Sequence, residues 1–74
     1  MNEKVLSIIS QVSKKDASEI RNKMNEKGLW DSFSHVELII LIEEEFNVFF
    51  NQEEIAEMYT PTLIIEYLSK KVQN

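Results

Sequence analysis

The chain has 74 residues, a formal net charge of −5 and no cysteine. This length allows one small domain, residues 1–74, and the lack of cysteine excludes disulfides and thiolate metal sites as sources of stability. His35 is the only histidine, so the usual nucleophile-and-base pairs of enzymes are missing, and no apolar stretch approaches the roughly 20 residues of a membrane span.

The charge is unevenly distributed along the chain. Residues 1–30 contain six basic and four acidic residues, whereas residues 31–74 contain two basic and nine acidic residues. The acidic part would repel a phosphate backbone and attract partners with basic patches, so we expect protein partners and no nucleic acid. No signal peptide is evident, and we expect a cytoplasmic monomer that is not an enzyme.

The first predicted helix covers Asn2 to Val12, where four apolar residues recur at helical spacing: Val5, Ile8, Ile9 and Val12. The polar stretch that follows, 16–27, is interpreted as a loop with a weak helical piece. Asp16 and Glu19 have the spacing of a capping box at the start of that piece. Gly28, the only glycine, then predicts a turn.

The strongest helix is predicted from Ser32 to Phe46, because Asp31, Ser32 and Ser34 are all good N-cap residues. Ser34 and Glu37 also fit a capping box. A break is expected over 47–50, then a short helix over 52–58. Pro61 after Thr60 starts the last helix, 61–72, whose predicted buried stripe is Leu63, Ile64, Tyr67 and Leu68. The predicted fold is all-α, a small bundle of three to four helices with a long first loop.

The helix from Ser32 to Phe46 has more apolar residues than one buried stripe needs. At about 100° per residue, the core-facing arc holds Leu38, Ile39, Ile42 and Phe46. A second arc combines apolar and acidic residues: Phe33, Val36, Ile40, Glu37, Glu43 and Glu44. Either the bundle wraps around the helix and buries both arcs, or the second arc is a docking surface for a partner with apolar residues ringed by Lys and Arg.

Ser32 at the start of this helix has two interpretations. It can be an ordinary N-cap, or it can carry a phosphodiester, since the N-terminus of a helix favours negative charge. Spacing and position alone favour the ordinary N-cap.

The stretch from Asp31 to Leu38, Asp-Ser-Phe-Ser-His-Val-Glu-Leu, resembles the phosphopantetheine attachment motif of the acyl carrier protein family. That motif reads Asp-Ser-Leu, then a small or acidic residue, a variable one, and Val-Glu-Leu. The segment Ile42 to Phe46, Ile-Glu-Glu-Glu-Phe, is similar to the family's Leu-Glu-Glu-Glu-Phe, and the likeness continues without a gap to Leu68. The N-terminal helix fits only in a general way.

The resemblance implies that a phosphopantetheinyl transferase attaches 4′-phosphopantetheine from coenzyme A to Ser32, with Asp31 helping to present the serine. It implies that cargo is held as a thioester on the arm's thiol. It also implies a loading ligase for an acyl or aminoacyl group and a downstream acyltransferase or synthase as partners. The arm would keep the cargo at high local concentration for each of these enzymes.

Three residues depart from the family pattern, namely Phe33, Ser34 and His35. The run from Gly28 to Phe33, Gly-Leu-Trp-Asp-Ser-Phe, is closer to the Gly-Leu-Leu-Asp-Ser-Phe of D-alanyl carrier proteins. This favours a specialised carrier over a fatty-acid synthesis carrier, although both stay open. A helical interaction module without a prosthetic group is the alternative function.

One residue within the motif and one just before it also have two interpretations each. His35 is either a pH switch or a boundary residue of the bundle. Trp30 either anchors a partner or folds back over the core.

Overall fold

The computed structural model describes residues 1–72, which form five α-helices and no strand. The helices are α1 (Asn2–Ser13), α2 (Ala17–Arg21), α3 (Ser32–Phe46), α4 (Gln52–Glu57) and α5 (Pro61–Val72). The all-α prediction is confirmed, and the weak helical piece of the first connection is α2. Within residues 1–72, no helix combines the length and the hydropathy needed to cross a lipid bilayer.

The core lies where α1 packs against α2, α3 and α5. Each helix except α4 buries apolar side chains in it, and the connections add Leu29, Phe50 and Met58. The helical contribution is Val5, Leu6, Ile8, Ile9 and Val12 from α1, Ile20 from α2, Leu38, Ile39 and Ile42 from α3, and Ile64 and Leu68 from α5. Removal of these side chains from water is the main force that holds the bundle together.

The first connection differs in detail from its prediction. Asp16 precedes α2 but makes no side-chain cap, so the predicted capping box with Glu19 is wrong. Glu19 instead pairs with Lys23 one turn later, with 3.1 Å between the carboxylate and the ammonium nitrogen. Ile20 is fully buried where α2 packs against α1, and burial of this side chain holds the short helix in place.

The start of α3 is capped by Asp31, whose Oδ1 accepts a hydrogen bond of 2.8 Å from the Ser34 backbone N–H. Ser34 is therefore inside the first turn, and the predicted Ser34–Glu37 capping box is wrong. At the other end, Asn47 adopts the left-handed conformation with φ 56°, and the Val48 N–H bonds to the Glu43 carbonyl at 3.1 Å. This geometry ends α3 at the predicted residue.

The second half of the bundle has clear caps on both of its helices. Asn51 and Glu54 form a complete capping box at the start of α4. Thr60 accepts a 3.1 Å hydrogen bond from the Leu63 N–H at the start of α5, which confirms the predicted start at Pro61. The Thr62 N–H bonds to the Met24 carbonyl at 2.9 Å and ties the first connection to α5.

The predicted apolar stripe of α5 is confirmed in part. Ile64 and Leu68 are fully buried, and Tyr67 packs partly against the core, whereas Leu63 is only half-buried. Phe46 of α3 is likewise half-buried rather than fully enclosed, because it lies in the last turn of its helix.

Candidate functional site

Ser32 is the first residue of α3 and is exposed to solvent. The segment before it is fixed at two points: Gly28 turns the chain with φ 79°, and Leu29 is buried in the core. The left-handed conformation at Gly28 is one that other residues adopt with strain. The serine is therefore presented at the surface by a short, anchored segment rather than by a free loop.

Asp31 holds the first turn of α3 in place beside the serine. Hydrogen bonds from the backbone N–H and the hydroxyl of Ser34 hold the pKa of the Asp31 carboxyl below its usual value. The charged form is favoured because these donors bond to the carboxylate and because the helix N-terminus attracts negative charge. Asp31 is thus a fixed negative group next to Ser32.

A groove of about 240 Å³ opens at the surface beside Ser32. It lies between the start of α3 and the end of α4. Its walls contain two aromatic residues, one histidine, one carboxylate and three small residues: Gly28, Trp30, Asp31, Ser32, His35, Ala56 and Tyr59. The groove therefore offers both apolar and polar contacts to a group attached at the serine.

His35 joins the two sides of this groove. Its Nδ1 lies 2.9 Å from the Trp30 indole nitrogen, and its Nε2 lies 2.8 Å from the Ile55 carbonyl oxygen. The Trp30 and His35 rings are nearly parallel, 6° apart, with 6.2 Å between their centroids. Since the ring nitrogens themselves are in hydrogen-bond contact, the rings meet edge to edge rather than face to face. His35 thus lies where the segment before α3 meets α4, and Trp30 folds back against the core.

The second face of α3 is exposed, so the bundle does not wrap around this helix. Phe33, Val36 and Ile40 are 91%, 58% and 47% exposed, respectively. Glu37 and Glu44 are exposed beside them. We refer to these five residues as the acidic–apolar face. It runs along α3 away from Ser32, so a partner that covers it would also be close to the serine.

Glu43 belongs to the predicted docking set but has a structural contact. Its Oε2 accepts a 2.9 Å hydrogen bond from the Phe50 backbone N–H, seven residues further along the chain. Glu43 is half-buried, and it fixes the connection between α3 and α4. This contact was not predicted, because nothing in the local spacing indicates which carboxylate of the run Glu43 to Glu45 turns back toward the chain.

The structure thus brings Asp31, Ser32, His35, Trp30 and Tyr59 together at one groove. Tyr59 was not predicted as a site residue, and the long separation from Ser32 in the sequence gave no signal for it. Lys27 lies over the Tyr59 ring, with 5.3 Å from its ammonium nitrogen to the ring centroid.

Within residues 1–72, His, Asp and Glu side chains form no cluster of three or more suited to a metal ion. No protein-family model matches the sequence.

Proposed function

We propose that this protein is a carrier that holds an acyl or aminoacyl group as a thioester on a 4′-phosphopantetheine arm attached to Ser32. The observation that carries the proposal is the position of Ser32. It is an exposed serine at the first residue of a 15-residue helix, it follows a fixed Asp31, and it adjoins an open groove. The proposal also rests on the resemblance of the motif around Ser32 to the acyl carrier protein family.

The residues around Ser32 fit a phosphodiester. The positive end of the α3 dipole lies at this serine and favours a negative group there. Asp31 bonds to the Ser34 N–H from within the chain, so the helix start is formed before any group is attached. A hydroxyl on a preformed helix start can be modified without a change in the fold.

The groove is small for a binding pocket. Its volume of about 240 Å³ is below the range of roughly 300–1,000 Å³ that encloses small-molecule ligands. It can therefore cover only part of an attached arm. A carrier needs this weak hold, because the cargo must leave the protein surface to reach the active site of each partner.

When attached, the arm supplies a thiol, which the chain itself lacks because it has no cysteine. The chain's own residues position the attachment point and present a docking surface. Phe33 lies next to Ser32 and is the most exposed apolar residue of the acidic–apolar face. We propose that this face meets the phosphopantetheinyl transferase, the loading ligase and the downstream acyltransferase or synthase. Apolar contacts would supply most of the affinity, while Glu37 and Glu44 would steer basic partners.

The shape of the site favours short or polar cargo over a long acyl chain. Leu38, Ile42 and Ile64 are fully buried in the core, whereas the groove is open to solvent. This agrees with the likeness of the run from Gly28 to Phe33 to D-alanyl carrier proteins. Fatty-acid synthesis is the alternative cargo role.

The proposal is tested by intact-protein mass spectrometry after incubation with coenzyme A and a broad-specificity phosphopantetheinyl transferase. The wild type should gain the mass of one arm, and Ser32→Ala should gain none. Ser7→Ala is the matched control, because Ser7 is an exposed serine on α1, and this variant should be modified like the wild type. A wild type that stays unmodified, or a Ser32→Ala variant that is modified, contradicts the proposal.

A helical interaction module without a prosthetic group is the second candidate, favoured by the exposure of the acidic–apolar face. The two functions differ in the residue that they require. The module predicts that Ser32→Ala retains partner binding while Glu37→Lys loses it. The carrier predicts that Ser32→Ala loses cargo transfer.

A further inference from the structure

Trp30 and His35 connect three segments that meet at the groove. Trp30 belongs to the segment before Ser32, His35 to the first turns of α3, and the Ile55 carbonyl to α4. The Trp30 indole nitrogen lies 2.9 Å from Nδ1 of His35, and Nε2 of His35 lies 2.8 Å from the Ile55 carbonyl oxygen. One imidazole ring therefore makes both hydrogen bonds. We refer to this arrangement as the Trp30–His35–Ile55 bridge.

The chemistry of the two outer groups determines the protonation state of the imidazole. An indole N–H can only donate, so Nδ1 must accept. A backbone carbonyl can only accept, so Nε2 must carry the proton and donate. The bridge is therefore complete only with neutral His35 in the Nε2–H form. A second proton, on Nδ1, would place two donors opposite each other across 2.9 Å.

The charged and titratable groups around the imidazole come from the start of α3, from α4 and from the segment after α4. Asp31 lines the groove from the start of α3, and its pKa is held below its usual value. Tyr59 lines it from the segment after α4, beneath Lys27. Among the acidic residues of α4, Glu54 pairs with Lys71 of α5 at 3.1 Å, and Glu53 and Glu57 are exposed. Histidine is the side chain whose charge changes between about pH 5 and pH 8.

We propose that Trp30 and His35 form a pH-sensitive latch that positions α4 against the segment preceding Ser32. With neutral His35 the latch is closed and sets the width of the groove. Protonation of His35 breaks the bond to Trp30 and releases the indole side of the bridge, while Nε2 keeps its bond to α4. The groove beside Ser32 then widens on the Trp30 side.

The latch is a property of the unmodified chain, so it does not depend on an arm at Ser32. Its consequence for a carrier would be a pH-dependent hold on whatever group lies in the groove. The test below uses the unmodified protein, and its outcome is therefore independent of whether Ser32 is modified.

The chain contains one tryptophan and one histidine, so both sides of the bond give single, unambiguous NMR signals. Nitrogen-15-labelled protein is titrated from pH 8 to pH 5 while the His35 ring nitrogens and the Trp30 indole N–H are followed. The protection of the indole N–H is its exchange rate compared with that of free tryptophan indole at the same pH. As His35 gains its proton, this protection should fall about fivefold, the change that the loss of one net hydrogen bond corresponds to. The backbone amide signals of Trp30 and Ser32 should shift with the same midpoint.

His35→Gln is the matched variant, because a glutamine side chain can accept from the indole and donate to the carbonyl but does not titrate. Its indole N–H should keep the same protection, relative to free tryptophan indole at each pH, from pH 8 to pH 5. Trp30→Phe keeps an aromatic ring but has no donor. His35 should still titrate in this variant, and the amide shift of Ser32 linked to that titration should be lost.

Four results would overturn the latch. In the wild type, these are an indole N–H that stays protected while His35 gains its proton, and a His35 that stays neutral down to pH 5. In the variants, they are a pH response of His35→Gln equal to that of the wild type, and a Ser32 amide shift that persists in Trp30→Phe. The Trp30→Phe result decides the question if His35→Gln fails to fold, which circular dichroism would show.

Discussion

α1 and α3 differ in where they place their apolar side chains. All five large apolar residues of α1 between Val5 and Val12 are buried in the core. α3 buries Leu38, Ile39 and Ile42 but leaves Phe33, Val36 and Ile40 largely exposed. Both helices are rich in apolar residues. The core buries all five of these residues of α1 but only three of these six residues of α3.

The difference shows that the acidic–apolar face contributes little to the stability of the fold. Apolar side chains stabilise a fold when they leave water, and exposed ones contribute little to it. A cluster of exposed apolar residues beside carboxylates is therefore a feature that the fold does not explain, and we propose partner binding as its role.

The largest expected effect is on the buried face. Leu38→Ala should lower the free energy of unfolding by about 2–5 kcal/mol, because it removes a fully enclosed side chain and leaves a cavity. A domain of this size has a total stability of roughly 4–11 kcal/mol, so the variant should be severely destabilised. Val36→Ala on the exposed face should change stability by no more than about 0.5 kcal/mol. Urea unfolding followed by circular dichroism measures both, and equal losses would contradict the assignment of the faces.

A smaller effect is expected where the two faces meet the α3–α4 connection. Glu43→Gln weakens the bond that the carboxylate accepts from the Phe50 N–H and should cost about 1 kcal/mol. Glu44→Gln is the matched control on the next residue and should be neutral, since Glu44 is exposed. The same urea unfolding experiment separates the two residues. A neutral Glu43→Gln variant would show that this contact does not stabilise the connection.

The caps of α3 and α4 predict a loss of stability in acid. The pKa values of Asp31 and Glu54 are lowered from their usual 3.8 and 4.5, in both cases chiefly by backbone hydrogen bonds at the cap. A lowered pKa means that the folded state favours the charged form, so the contribution is complete above the usual values and is lost as the pH falls below them. Thermal unfolding from pH 6 to pH 2.5 should show a declining midpoint, and Asp31→Asn should flatten part of this decline. An identical decline in the variant would exclude Asp31 as a source of the loss of stability in acid.

The smallest effect on the fold is expected from charge reversal on the exposed face. Glu37→Lys and Glu44→Lys should leave the free energy of unfolding within about 0.5 kcal/mol of the wild type. They should nevertheless slow association with a basic phosphopantetheinyl transferase, because the steering charge is reversed. Stopped-flow binding or modification kinetics at low and high salt measure the association rate. Rates that do not differ from wild type at low salt would contradict docking through this face.

Most of the fold could be predicted because the sequence marks it locally. The apolar spacing of α1, the proline after Thr60 and the caps around Asp31 determined where helices begin and end, and α3 and α5 have the predicted bounds. The capping box of Asn51 and Glu54 was also readable from its spacing but was not predicted. The boxes at Asp16 and Ser34 were predicted and are absent, because the same spacing occurs wherever a polar residue precedes a glutamate by three positions.

The candidate site could be predicted only in its local part. Asp31 and Ser32 are adjacent in the sequence, and their place at the start of α3 follows from helix-capping rules. The Trp30–His35–Ile55 bridge could not be predicted, because it depends on how α4 packs against α3, and 20 residues separate His35 from Ile55. The bond from Glu43 to Phe50 was missed for the same reason, since it forms only after the chain has turned.

The central claim is that Ser32 is the attachment point of a phosphopantetheine arm. Its most direct test is peptide-resolved mass spectrometry of the protein after co-expression with a phosphopantetheinyl transferase, which locates the added mass among the seven serines of the chain. We expect the arm on the peptide containing Ser32, at Ser32 and not at Ser34. An unmodified chain, or an arm at any other serine, would contradict it.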